Sequence, residues 1–264
     1  VTKQYKDDRF YWNGKQWVPS GTTVLPSPDL KRWAANCAVD YIIDTSNMTI
    51  ARTAYQREST EAADYGTYIH KLCEVSLTDD IKIESPHEMT QKFMDGLWAW
   101  KTKHRVKVIV MEHEVLHERY GGRLDLVCEM DGVVTLVDFK TSSGKGSYYA
   151  TWKYQLAGYR NAYNGDVNLN AHDHALGVTL DGTDEFWDEV AKYTLKHSIQ
   201  HHGILKFNKK TMKANYKDFT EYQATRTNPE TLEKEKYTRN YETDLATFMA
   251  CVRLWWAMKR GIEI

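Results

Sequence analysis

The stretch GGRLDLVCEMDGVVTLVDFKTS, residues 121 to 142, constrains this chain more than any other part of it. Two β-rich runs flank Asp131-Gly132, a dipeptide that favours a two-residue hairpin turn because both residues tolerate positive φ. With that turn, Met130 faces Val133, Val127 faces Leu136 and Leu126 faces Val137. One step further out, Asp125 faces Asp138. A four-residue turn keeps this register, whereas a three-residue turn or a bulge would not.

Opposed residues of an antiparallel pair hold their Cβ atoms ~4.5–5.5 Å apart on one face. Two carboxylates that close repel, and one normally stays protonated. A divalent cation removes the conflict, and hard oxygen ligands suit Mg²⁺ and Mn²⁺. Lys140 lies two residues beyond Asp138 and so projects from the same face. Such a trio fits hydrolysis of a phosphodiester: the metal polarises the phosphate and lowers the pKa of a water. The ammonium stabilises charge building on phosphorus. A surface hairpin with exposed ion pairs would account for an isolated D-x-K equally well.

Neighbouring stretches add candidates. YGTYIHKLCE places His70 and Glu74 four apart on one helical face, with Gly66 and Thr67 a turn earlier; a packed or solvated histidine is the plainer alternative. In RVKVIVMEHEVLH, Glu112 and Glu114 alternate onto a common strand face, from which either could reach a cation. YQLAGY sets Gln155 and Tyr159 four apart on a helix, within reach of a nucleotide or its backbone.

The remaining chain sets bounds. At 264 residues, 42% hydrophobic and 27% charged, it can bury a sizeable core. No apolar run approaches the roughly 18 residues that span a bilayer, and VTKQYKDDRFYW lacks a signal-peptide core, so a cytoplasmic location is expected. Cys37, Cys73, Cys128 and Cys251 are scattered, which argues against a zinc ribbon, an iron–sulfur cluster or a disulfide framework. A net charge of −1 excludes a wholly basic surface but leaves room for a local basic groove. Nine tryptophans and seventeen tyrosines supply core and, in part, stacking platforms for bases.

Without repeats or long linkers, residues 1–264 read as one domain. A hairpin is expected at Asn13-Gly14, and a helix capped by Ser27 and Pro28 should run to about Ile43. Another helical pattern covers Thr49 to about Leu77, broken near Ser59-Thr60. SPHEMTQKFMDGLWAWKTKH carries Phe93, Leu97 and Trp100 on one stripe. A helix over SYYATWKYQLAGYRNAYN precedes a short strand, HALGVTL, that ends at Asp181-Gly182. YETDLATFMACVRLWWAMKR closes the chain as an amphipathic helix, its Trp255-Trp256 pair packing into the core or a subunit contact. KHSIQHHG is read as a solvated or DNA-facing segment rather than a zinc site. KFNKKTMKANYK is read as a solvated lysine run, with a path along a phosphate backbone as its alternative. The order of elements predicts a mixed α/β fold, with a small mixed sheet flanked by helices.

GTYIH, MEHEV, GRLD, VDFKTS and QLAGY occur in the order and spacing of the PD-(D/E)XK nuclease superfamily. The chain from Gly66 to Tyr159 resembles its RecB-like branch. VDFKTS and PSGTTVLPSPDLKRWA are further similar to phage-encoded exonucleases and the mitochondrial genome maintenance exonuclease group. The resemblance implies a restriction-endonuclease-like core over about 60–182, with an N-terminal layer over about 1–59 and a C-terminal helical extension over about 183–264. It implies Mg²⁺ or Mn²⁺ on Asp125, Asp138, His70, Glu114 and the carbonyl of Phe139, and Lys140 as the catalytic lysine. Gln155, Tyr159, Thr141 and Ser142 would contact DNA.

The implied activity is exonucleolytic cleavage of single-stranded or processed DNA ends in recombination, repair or phage DNA metabolism, in a bacterial or phage-infected cell. A recombinase, a single-strand-binding protein or a helicase would be a partner. No G-x-x-x-x-G-K-[ST] is present, so no ATP is expected. A structure-specific endonuclease (a junction resolvase or nickase) and a non-catalytic DNA-binding subunit are the alternatives. The oligomeric state is not set by these residues.

Overall fold

The structure, a computed structural model, describes residues 10–26, 31–51, 53–142, 148–179, 182–227, 231 and 233–260. It opens on the expected hairpin, β1 (Phe10–Trp12) paired antiparallel with β2 (Trp17–Pro19). Gly14 takes φ +89° in the turn, and Asn13 Oδ1 accepts from the N–H groups of Lys15 and Gln16. One helical turn follows, α1 (Gly21–Val24), capped by the Ser20 hydroxyl accepting from the Thr23 N–H.

Next come α2 (Lys31–Thr45), α3 (Met48–Ala51), α4 (Ala54–Thr78) and α5 (Glu88–Lys103). The cap expected at Ser27 and Pro28 lies outside the described residues. The break expected near Ser59-Thr60 is absent, because α4 runs through both. These two side chains are exposed, where a helix tolerates them, and the interruption falls earlier, at Thr53. Phe93, Leu97 and Trp100 are buried along α5 as their spacing requires.

β3 (Lys107–His117), β4 (Tyr120–Met130) and β5 (Val133–Ser142) form an antiparallel meander. Asp131 and Gly132 have φ of +52° and +89°, the two positive values a two-residue turn of this class demands, and Met130 faces Val133. Two helices, α6 (Ala150–Leu176) and α7 (Asp184–His197), then cross to β6 (His201–Asn208), which lies parallel to β5. β7 (Ala214–Asp218) completes a five-stranded sheet of order β3-β4-β5-β6-β7. A separate hairpin, β8 (Glu221–Thr227) with β9 (Lys234–Asn240), leads into α8 (Tyr241–Arg260). The fold is mixed α/β, a mixed sheet between helices.

The strand expected over HALGVTL does not form across its described residues, 174–179. α6 continues to Leu176 because Val167, Ala171 and Ala175, four apart, are buried on one helical stripe. The strand that joins β5 is β6. Its sheet therefore extends past residue 182, and β6 to β9 occupy a stretch expected to be helical. KHSIQHHG is not a solvated run either: it spans the end of α7 and the start of β6, with Ile199 and His202 buried.

Each face of the sheet has its own core. One joins Leu124, Val127, Leu136 and Ile204 to α6, α8 and α1 through Leu156, Phe248, Val252 and Val24. The other joins Leu126, Cys128, Val137, Phe139 and Leu205 to α4 and α5 through Ile69, Cys73, Phe93 and Leu97. β5 alternates between them, as a strand buried on both faces must. Trp255 and Trp256 pack against the first core, so the N- and C-terminal segments share it. Among the described residues no helix is long and apolar enough to cross a membrane.

Candidate metal centre

The pairing of β4 with β5 runs from Met130↔Val133 to Leu126↔Val137 and stops there, one step short of the two aspartates. Beyond that point the Phe139 N–H has no β4 carbonyl to bind, and Asp125 Oδ2 accepts it instead at 2.7 Å. Asp125 and Asp138 thus do not face each other as rungs of a ladder. They flank the point where the strands part.

β3 and β4 keep their mutual register at the same level, but the two-residue pleat of both strands breaks there. Met111 packs on the α4/α5 face, whereas His113, two residues on, meets Tyr163 of α6 on the other. On β4, Leu124 and Leu126 likewise belong to opposite cores. A strict two-residue period would put each pair on one face. The intervening residue absorbs the slip: Glu112 has φ +48°, and the ladder passes from Met111↔Leu126 to His113↔Leu124 without a 112–125 pair.

This slip decides which acid reaches the site. His70, Glu112 and Asp125 each offer a ligand atom within 4.8 Å of the others. Glu114, expected as the upstream acid, is exposed and sits opposite Arg123. Because the pleat breaks between them, Glu112 and Glu114 do not share a face. Glu74 is bound to Lys71 at 2.8 Å and stays outside the group of three, though its charge reaches Glu112.

His70 comes from the middle of α4, above β5. Its Nε2 donates to the Phe139 carbonyl at 3.0 Å, which leaves Nδ1 facing Asp125 Oδ1 at 3.5 Å. The Phe139 carbonyl, expected as a direct ligand, here orients the imidazole. Asp138 is 6% exposed and Lys140 Nζ lies 2.7 Å from its Oδ1 and 2.6 Å from its Oδ2. The Oδ2 atom, although buried, has no well-aligned hydrogen-bond donor. Burial pushes the Asp138 carboxyl up to about 6 against the pull of Lys140, with the Asp125 charge adding to the rise. Lys140 is disfavoured as a cation by burial, but Asp138 and Asp125 outweigh that and hold its pKa above the usual lysine range. Burial, then Asp125, also raises Glu112.

The donor set fits a hard divalent cation. Two carboxylates and one imidazole converge near a third, buried carboxylate that is paired with Lys140. It is the one such group of three among the described residues. The four cysteines are free, and Cys73 and Cys128 are buried.

The residues expected to touch DNA divide. Thr141 and Ser142 are partly exposed at the end of β5, and Gln155 is partly exposed on α6. Tyr159 is 5% exposed and packs in the core against Gly21 and Gly122, so it is a positioning residue. Trp152 escaped notice in the sequence, yet Lys140 Nζ lies over its ring at 5.9 Å; two helical turns between it and Tyr159 were the available signal.

Compared with known proteins, the chain matches no family model and no curated sequence.

Proposed function

We propose that this protein is a Mg²⁺- or Mn²⁺-dependent deoxyribonuclease that hydrolyses DNA phosphodiester bonds, acting from strand ends. The observation that carries the reading is the convergence of His70, Glu112 and Asp125 within 4.8 Å, beside a buried Asp138–Lys140 pair. The ordered motifs of the RecB-like nucleases, which this chain resembles, support the same chemistry and the preference for ends.

A divalent cation held by Asp125, Glu112, His70 and Asp138 would polarise a phosphoryl oxygen and make a water more acidic. The chain's own groups do the rest. Asp138, ionised at neutral pH, fixes the Lys140 ammonium and prevents it from swinging into solvent. Lys140 then presents a permanent positive charge toward a scissile phosphate, where charge accumulates during in-line attack. Water adds to phosphorus as the 3′-oxygen departs with a proton, leaving 5′-phosphate ends. His70 is locked in one tautomer and orientation by the Phe139 carbonyl, and Asp125 is held by the Phe139 N–H.

End-labelled single- and double-stranded DNA and a circular single strand, incubated with Mg²⁺ beside a Lys140→Ala control, test this. The linear substrates should release short products, the circle should persist, and the variant should be inactive while still folded by circular dichroism at the assay temperature, its melting point lowered by the loss of the cation beside buried Asp138. Equal cleavage by both proteins would remove the proposal, and a cleaved circle would make the enzyme an endonuclease.

A further inference from the structure

The turn between β6 and β7 carries Lys209, Lys210 and Lys213, the basic run left without a role by the metal centre. It is anchored to the strand that bears Asp138 and Lys140: the Lys209 N–H donates to the Ser142 carbonyl at 3.1 Å, and Asn208 pairs with Ser142. Beside it, α4 brings Gly66 next to Thr141, whose Oγ1 lies 4.0 Å from where a Cβ on that glycine would sit. Tyr65 precedes this glycine. Its hydroxyl donates to Met212 Sδ at 3.3 Å, and Lys209 Nζ lies over its ring at 5.5 Å.

Tyr65, Met89, Lys209 and Met212 enclose an open notch of about 270 Å³. Its surface is mainly apolar, with Met89 38% exposed and Tyr68 standing beside Tyr65 at 46% exposed. An aromatic ring and one exposed thioether, Met89, next to a lysine make a face that a flat heteroaromatic base can stack on, with the ammonium left for its phosphate. Met212 adopts φ +54° at the tip of the turn and is only 3% exposed, so the floor of the notch is built in rather than a chance gap.

We infer that this notch is a nucleobase subsite: Tyr65 stacks a base of a single DNA strand while Lys209 binds its phosphate, one step along from the scissile bond. The inference rests on the nuclease reading and gives a residue-level contact for an unpaired base, since a base within a duplex is not free to enter.

The test measures binding without turnover. In a Lys140→Ala background with Mg²⁺, fluorescence anisotropy follows a labelled single-stranded oligonucleotide and an abasic strand of equal length. Tyr65→Ala should weaken the normal strand about tenfold and leave the abasic strand unchanged, Tyr65→Phe should bind as the parent does, and Lys209→Gln should weaken both strands and flatten the salt dependence. Matching melting temperatures set folding aside; if Tyr65→Ala melts early, Tyr65→Leu replaces it, with the same expected loss. Unchanged binding of the normal strand, or equal losses on both strands, would overturn the subsite while Lys140-dependent cleavage left the nuclease reading standing. A parent that neither cuts nor binds DNA would remove both.

Discussion

Tyr159 lies with its ring directly against Gly122: a Cβ on that glycine would stand 2.2 Å from Tyr159 Cε1 and 2.5 Å from Cζ. The glycine of GRLD and the tyrosine of QLAGY are therefore two sides of one contact. α6 can settle on β4 at this height only because β4 has no side chain there, and Asp125 follows three residues later. Gly122→Ala should push the ring away and cost about 1–3 kcal/mol by overpacking. Urea denaturation measures this, and an unchanged midpoint would mean the helix can shift freely.

Metal binding should be visible as stability. A ligand present at a hundredfold its dissociation constant adds ~2.7 kcal/mol, so Mn²⁺ should raise the melting temperature by roughly 5–10 °C in a chain of this size. Asp125→Asn and Glu112→Gln should lose most of that rise, and Glu114→Gln should keep it. The reverse pattern for the two glutamates would overturn the assignment drawn from the slipped pleat.

How far this could be read from residues alone depends on what each element uses to hold itself. The Asp131-Gly132 turn and the register to Leu126↔Val137 were legible because turn chemistry and a two-residue period act locally. So were the α5 stripe and the C-terminal helix. The choice between Glu112 and Glu114 was not, since it rests on one residue entering positive φ, which no periodicity encodes. β6 was hidden for a different reason. It is buried at His202, at Ile204 and Leu205, and at Lys206, whose Nζ lies over Tyr148 at 4.4 Å, so two polar residues disguise a central strand.

The β8–β9 hairpin is tied to α8 by charge. Asp244 is fully buried; Arg239 Nε donates to its Oδ1 at 2.6 Å and the Tyr222 hydroxyl reaches both oxygens at 3.2 and 3.0 Å. Removing only the cation strands a buried carboxylate, so Arg239→Ala should cost about 3–5 kcal/mol. The double variant Arg239→Ala, Asp244→Ala should lose less than the two single losses added together. Strict additivity in chemical denaturation would mean that the pair is not coupled.

Acid should unfold the protein partly through His202. This imidazole is fully buried at the start of β6, and neither ring nitrogen has a hydrogen-bond partner. Burial, reinforced by the nearby Arg160 charge, lowers its pKa to about 3 against the opposing pull of Asp218, with His201 adding less to the fall and the Tyr241 ring packed 6.0 Å away. A folded pKa below the unfolded value of ~6.5 means that unfolding takes up a proton throughout that interval. Stability from this group is complete above the unfolded pKa and falls with pH down to the folded pKa, at roughly 1.4 kcal/mol per pH unit. Asp138 acts in the opposite sense, because its raised pKa favours the fold as pH falls from about 6 toward the unfolded carboxyl value. The difference between wild type and His202→Leu isolates the histidine: between pH 6 and 4 the wild type should lose stability more steeply by about that slope. Parallel curves would place a proton on the folded ring and contradict its burial as a neutral base.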